Sequence, residues 1–346
     1  MPILRLCIPI AHFRYKLVNN NDNEMKMLFN TVVRTSLLFA ALFCTGSKAE
    51  ESFIIQRASA RVIIDNDFAG DPDGLAALAH QVLSKKTQPV LITVTGLDPN
   101  LAKFTYGTED TAQAGAQKAT ALLRLLNLEQ IPVAYGFDYL ERQHQAPSAA
   151  ARAIVDEAMK DSELPLFFTC GGPLTNLAEA LKLAPDIAKR MTVIWIGGGD
   201  YPKGEHEYNL ATDLQAAKYV IEQTYVPVWQ IPVSAYRQMQ YSVAEMRLDF
   251  KPISPSTEWL YNQYTHLPPF VDMGGSLTMG DHPLVTFTAL STQSSLNEMR
   301  FARAINADGT YAEELNNRTI RVFHSVDARL TFADFLAVMK LNAHSQ

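Results

Sequence analysis

The chain has 346 residues, with 30 Lys and Arg against 36 Asp and Glu for a formal charge of −6. That acidic balance argues against nucleic acid as a partner, because phosphate backbones recruit basic surfaces. Only three cysteines are present, too few for a disulfide-built scaffold.

Residues 1–49 read as a leader and are set aside from the fold. Met25-Lys26-Met27 opens a segment with Arg34, the apolar run Leu37-Leu38-Phe39-Ala40-Ala41-Leu42-Phe43, and then Ser47-Lys48-Ala49. That is a basic region, a short hydrophobic core and a small-x-small cleavage site, the layout of a secretory signal peptide. The apolar run is too short to span a bilayer. An upstream start-codon assignment accounts for residues 1–24. Cys44 invites a lipoprotein reading, but Phe43 is too bulky for the usual lipid-attachment site. The expected mature protein is residues 50–346, periplasmic or secreted, with no membrane association after cleavage. Removing the leader's six Lys/Arg and two Asp/Glu takes the formal charge from −6 to −10. Cys7 and Cys44 leave with the leader, so Cys170 stands alone and no internal disulfide is expected.

Beyond the leader, strand-like and helix-like segments alternate. Arg61-Val62-Ile63-Ile64 is a β-branched run that reads as a buried strand. Leu75, Leu78 and Val82 recur at helical spacing after it. Residues 89–95 read as a strand, 112–126 as a helix, 131–134 as a short strand and 149–159 as a helix. The alternation continues with a strand over 164–168, a helix over 174–183, a strand over 191–196, a helix over 213–223 and a strand over 226–231. This rhythm predicts a doubly wound α/β fold in a single domain, a mostly parallel sheet with helices on both faces. Residues 235–282 are less regular and read as helices and loops over the sheet edge, the usual place for a lid.

The strongest chemical signal is Asp65-Asn66-Asp67-Phe68-Ala69-Gly70-Asp71-Pro72-Asp73-Gly74-Leu75. Four carboxylates crowd the turn between a strand and a helix, at the sheet edge where α/β folds bind ligands. Carboxylates packed this closely repel one another, and a hard cation with oxygen ligands, Ca²⁺ or Mg²⁺, relieves that repulsion. The plainer reading is a solvated loop whose aspartates cap the next helix. An EF-hand loop would need a preceding helix and a carboxylate at Ala76, its twelfth position. A haloacid-dehalogenase-type phosphatase would explain Asp65-x-Asp67 but not Asp71 or Asp73.

Further segments fall at strand ends: Thr169-Cys170-Gly171-Gly172-Pro173-Leu174-Thr175-Asn176, Gly197-Gly198-Gly199-Asp200, Glu207-Tyr208-Asn209-Leu210-Ala211-Thr212-Asp213, and Gly280-Asp281-His282-Pro283-Leu284-Val285. In this order, together with the acidic cluster and the closing Val326-Asp327-Ala328-Arg329-Leu330, they resemble the inosine-uridine-preferring nucleoside hydrolase family over residues 60–340. The likeness is to its variant branch with an extended Asp-rich N-terminal motif.

The resemblance implies hydrolysis of a ribonucleoside, or a related N-ribosyl compound, with one Ca²⁺ per chain. It implies that Asp67 is both a metal ligand and the general base on a metal-bound water. Asp73, Asp71, Asp281 and the backbone carbonyl of Gly171 or a neighbour would complete the ligand set, with Glu207 and Asn209 holding the ribose hydroxyls. The chemistry agrees: N-glycosidic cleavage passes through an oxocarbenium-like sugar that nearby carboxylates stabilise. The chain departs from the family's pattern in four places. Gly74 replaces a second consecutive Asp, and Gly96-Leu97-Asp98 replaces a Gly-Asn ribose contact, making Asp98 the nearest substitute. Gly280 replaces a His that protonates the leaving base, for which His282 is the substitute and His206 or His266 the alternatives. The loop from Gly199 to Glu207 is short and lacks the family's usual Asn. These departures motivate the runner-up, an exported non-catalytic sugar- or nucleoside-binding protein on the same scaffold. The expected partner is a small nucleoside or ribosyl compound, with homo-oligomerisation open.

Overall fold

A fully buried strand sits at the centre of the molecule. β1 (Ala60–Asn66) has all seven residues buried, as expected of a strand covered on both faces. The computed structural model describes residues 56–107, 110–140, 146–266 and 274–345, and residues 56–346 form one unit. The leader reading lies outside the described residues.

Chain order runs from β1 through α1 (Asp73–Leu83), β2 (Thr87–Val94), α2 (Pro99–Tyr106), α3 (Ala112–Leu125), β3 (Val133–Tyr135) and α4 (Ala149–Ala158). It continues with β4 (Leu166–Cys170), α5 (Thr175–Leu183), β5 (Met191–Ile196), α6 (Tyr208–Thr212), α7 (Leu214–Gln223) and β6 (Val228–Ile231). After α8 (Val233–Tyr236), a small antiparallel pair of β7 (Gln240–Ser242) and β8 (Ser276–Thr278) brackets α9 (Pro255–Tyr264). α10 (Pro283–Val285), β9 (Asn297–Ile305), β10 (Tyr311–Phe323) and α11 (Ala328–Ser345) close the fold.

The main sheet has the order β3-β2-β1-β4-β5-β6-β10-β9, parallel throughout except for β9 against β10. The chain winds outward from β1 to β3, returns to β4 beside β1, then winds out the other way. The β1/β4 boundary is therefore the topological switch point, where the connections diverge and leave a crevice above the strand ends. Register places Asp65 opposite Thr93 of β2 and Cys170 of β4.

Alternation along β1 divides the core. Val62 and Ile64 pack with Leu75 and Leu78 of α1, Leu122 of α3 and Phe335 of α11. Ile63 faces the other side, against Ile154 of α4, Leu177 of α5 and Val220 of α7. Each such fully buried side chain contributes about 1.5–3 kcal/mol, so stability resides in these two apolar layers. Cys170 is buried and unbridged.

The doubly wound fold is as predicted. The sequence reading left out α2 and the β9–β10 hairpin. α2 opens on Asp98-Pro99-Asn100, which reads as a turn. β10 mixes Glu313, Glu314, Asn316 and Asn317 among its apolar residues because much of it is exposed.

Candidate active site

The cavity above the switch point measures about 750 Å³. Asp67, Asp73 and Asp281 line one part of it, with Asp71 towards the outside. Asp67 follows β1 directly, where Gly70 N–H closes a turn onto its carbonyl at 2.7 Å. Asp73 is the first residue of α1, whose N-cap is Pro72 and bears no side-chain cap. The acids thus do not serve the simple capping role that an acidic loop would give them. Asp281 arrives from the far end of the sequence, in the turn before α10.

Burial pushes Asp67 and Asp73 well above the ordinary carboxylate range, and the neighbouring charge of Asp281 pushes both further. Burial also raises Asp281 to about 7, against a hydrogen bond from Asn66 that lowers it. Asp65 points below the cavity. Burial raises it to about 7, with hydrogen bonds from Thr93, Asn176 and Cys170 opposing the rise. The Thr93 hydroxyl donates to it at 2.5 Å and Asn176 Nδ2 at 2.8 Å. It ties β1, β2 and α5 together.

Two further predicted residues meet these acids from across the sheet. Asn209 Nδ2 donates to the Gly171 carbonyl at 3.0 Å and to the Ile196 carbonyl at 2.9 Å. Its amide oxygen is thereby the atom left for a ligand. Glu207 is the N-cap of α6 and is fully engaged. Oε2 accepts from Gly198 N at 2.7 Å and Leu210 N at 3.0 Å. Oε1 accepts from Asn209 N at 3.1 Å and the Tyr236 hydroxyl at 3.0 Å. A carboxylate has about four lone-pair sites, so a substrate hydroxyl reaches Glu207 by displacing Tyr236.

Two expectations need correction. Asp98 is the N-cap of α2, where its Oδ1 accepts from Asn100 N and Leu101 N, both at 3.0 Å. It does not line the cavity; its short side chain satisfies its own helix. His282 is fully buried and turns away from the cavity into a box of His80, Phe332 and Phe335. Burial lowers its pKa far below the usual imidazole value, so it is neutral and cannot donate a proton to a ligand there. His206 is exposed and also off the cavity wall, whereas His266 lines it.

Sequence reasoning missed the cavity's apolar side. Leu97, Leu101, Phe104, Tyr106 and Tyr208 line it. The Tyr106 hydroxyl is held by the Ala69 carbonyl at 2.7 Å. Only Tyr208 carried a signal, as the aromatic of the Glu-aromatic-Asn triplet. Tyr236 was also missed. Its ring crowds Gly280, where a Cβ would stand 3.0 Å from Tyr236 Cδ2.

A hard cation fits the chemistry of this donor set. Asp67, Asp73, Asp281 and the Gly171 carbonyl offer only oxygens, and burial together with mutual repulsion raises the three carboxylates, a cost that a bound cation would relieve. Among the described residues, no three carboxylate, imidazole or thiolate groups converge closely enough as they stand to hold one ion.

Comparison with known proteins agrees with this layout. Residues 62–279 match the model of the inosine-uridine preferring nucleoside hydrolase family, a match that stops just short of Asp281. A non-specific ribonucleoside hydrolase of Salmonella paratyphi A is 27% identical over 184 residues, 47% of this chain and 58% of that protein. The Salmonella typhi counterpart aligns equally well, so the chain spans a little over half the length of these relatives. The fold is similar to a purine-preferring ribonucleoside hydrolase from Gardnerella vaginalis, with a TM-score of 0.63, 18% identity, and coverage of 83% of this chain and 100% of that one. It is also similar to an inosine-uridine preferring nucleoside hydrolase from Bacillus anthracis, at TM-score 0.59 and 15% identity, covering 81% and 99%.

Proposed function

The chain belongs to the inosine-uridine preferring nucleoside hydrolase family, and from that membership we propose that it hydrolyses the N-glycosidic bond of a ribonucleoside, or of a related N-ribosyl compound, to free base and ribose. The observation that carries this reading is the pairing, in one cavity, of the Asp67–Asp73–Asp281 carboxylates with the aromatic wall of Phe104, Tyr106 and Tyr208. The first suits a sugar that develops positive charge; the second suits a flat nucleobase.

In this reading Asp67 takes the proton of the attacking water. Its place in the cavity wall, directly after β1, would put its carboxylate within reach of a water held by the same acids. Asp73 and Asp281 add negative charge beside the anomeric carbon, and the Asn209 amide oxygen and Glu207 orient ribose hydroxyls. Asp67, Asp73, Asp281 and the Gly171 carbonyl would hold the calcium ion, with Asp71 beside them. Bound there, it would acidify the water and fix the sugar. Proton delivery to the departing base falls to His266. Its Nδ1 lies 2.8 Å from the Asn262 carbonyl, which only accepts, so Nδ1–H donates there, and the imidazolium form, protonated at Nε2 as well, would hand its Nε2 proton to the base and be left neutral.

Incubating the protein with Ca²⁺ and a panel of nucleosides, with reducing sugar as readout, tests the proposal. Ribose release is the expected result. Phosphate release from phosphoesters instead would favour a phosphatase. Silence with a ligand-induced rise in melting temperature would favour a non-catalytic binder, a reading to which the filled acceptors of Glu207 lend some support. Export through residues 1–49 is part of the same proposal, and a mature N-terminus at Glu50 would bear it out.

A further inference from the structure

Asn66, the last residue of β1, has a buried side chain that reaches the carboxylate of Asp281. Two hydrogen bonds fix it. Asp67 N donates to Oδ1 at 2.8 Å, and Nδ2 donates to Asp281 Oδ2 at 2.8 Å. A backbone N–H only donates and a carboxylate only accepts, so turning the amide over would lose both bonds. Among the described residues it is the only side-chain N–H donating to Asp67, Asp73 or Asp281.

Two glycines shape the space around this amide. A Cβ at Gly74 would stand 2.8 Å from Asn66 Nδ2 and 3.1 Å from Oδ1. One at Gly171 would stand 2.4 Å from the same nitrogen and 2.6 Å from Asp281 Oδ1. The amide therefore fills the volume that a residue 74 side chain would enter at the start of α1. Its N–H₂ end, the positive end of the amide dipole, faces the carboxylate wall where a cation would be held.

We propose that Asn66 is a neutral plug in the cation site, made possible by Gly74. This rests on the cation part of the proposed function. Without a cation, Nδ2 offsets part of the charge on Asp281. For Asp67, Asp73 and Asp281 to share an ion, the amide has to swing out or turn Oδ1 inward, breaking both of its hydrogen bonds. Cation affinity is reduced by that rearrangement, and an acid at position 74 is excluded while Asn66 is present.

The test is calorimetric titration of Ca²⁺ into the EDTA-stripped protein, with melting temperatures in EDTA measured in parallel. Four proteins are compared: wild type, Asn66→Ser, Gly74→Asp and the double variant, with Asn66→Ala in reserve should the serine variant fold poorly. The expected result is a dissociation constant at least tenfold lower in Asn66→Ser. Gly74→Asp alone shows no gain and a lower melting temperature, and the double variant binds tightest of the four. Unchanged or weaker calcium binding in both Asn66→Ser and Asn66→Ala overturns the plug, as does tighter binding in Gly74→Asp alone. Absence of calcium heat in all four proteins overturns the cation reading and the plug with it. The melting temperatures then still show whether positions 66 and 74 are sterically coupled, because the double variant regains the stability lost in Gly74→Asp only if they are.

Discussion

Replacing Glu207 with Gln should destabilise the protein as well as weaken its hold on a sugar. The Glu207 carboxylate accepts three backbone N–H groups and one phenol, at 2.7–3.1 Å. Glutamine has one acceptor oxygen and one NH₂. It can satisfy the pair on one side only, and it faces two donors with a donor on the other. Losing two hydrogen bonds to a charged group costs about 3–6 kcal/mol, at 1.5–3 kcal/mol each. At about 2 °C per kcal/mol for a protein of this size, the melting temperature should fall by about 6–12 °C. Tyr236→Phe removes one of the four bonds and should lower it by about 3–6 °C on the same scale. Differential scanning calorimetry in EDTA, which takes calcium out of the comparison, reads both variants. A Glu207→Gln protein melting within about 2 °C of wild type would show that the carboxylate is not the clamp its four bonds imply.

Asp67→Asn should keep the fold and lower nucleoside turnover by about 10²–10⁴-fold, whereas Asp73→Asn and Asp281→Asn should be partly rescued by high calcium; equal, unrescued losses in a steady-state assay would reject these separate roles. His266→Gln should slow inosine and uridine while sparing p-nitrophenyl riboside, whose leaving group needs no proton; parallel slowing of both substrates would remove His266 as the acid. In the stripped protein, the raised carboxylates Asp67, Asp73 and Asp281 contribute stability that is complete below about pH 4 and is lost as pH rises through their raised values, about 7 for Asp281. The neutral buried His80 and His282 act in the opposite sense, losing their contribution as pH falls. Their effects largely cancel when calcium-loaded and stripped protein are compared at each pH. The calcium-dependent gain in melting temperature should therefore grow between about pH 4 and 7, and a gain independent of pH would refute the electrostatic account.

Residues whose chemistry depends on local spacing were legible in the sequence. Asp65 to Asp73 follow a β-branched run and precede a helical period, which is enough to place them at a strand end. Glu207 and Asn209 could be located in the same way, but not the direction of their side chains. Asp98 shows the limit: Asp-Pro-Asn at the start of a helix is an N-cap signature, and the cap turns this side chain to its own helix rather than onto the cavity wall. His282 shows another. It sits one residue from Asp281, and in a tight helical turn adjacent side chains leave in different directions, one into the cavity and one into the core. Phe104, Tyr106 and Tyr236 carried no readable signal, because an aromatic on a cavity wall has the same composition as one in the core. Gly74 and Gly280 looked like losses of function in the sequence. In three dimensions each has a close neighbour: a Cβ at Gly74 would stand 2.8 Å from Asn66 Nδ2, and one at Gly280 would crowd Tyr236 at 3.0 Å.

The hydrogen bond between Asn66 and Asp281 spans 215 positions of the chain, and that distance bears on how the protein assembles. Closing so long a loop costs only slowly growing entropy, since each doubling of length adds about 0.6 kcal/mol. It cannot occur, however, until the strands between β1 and α10 have found their places, which makes the carboxylate wall a late, non-local product of folding. A nascent or truncated chain ending before Asp281 carries Asp67 and Asp73 without their distant partner. Calcium uptake would then report on completion of the whole architecture, and a ligand that recognises only the finished chain would draw the last folding step towards the native state.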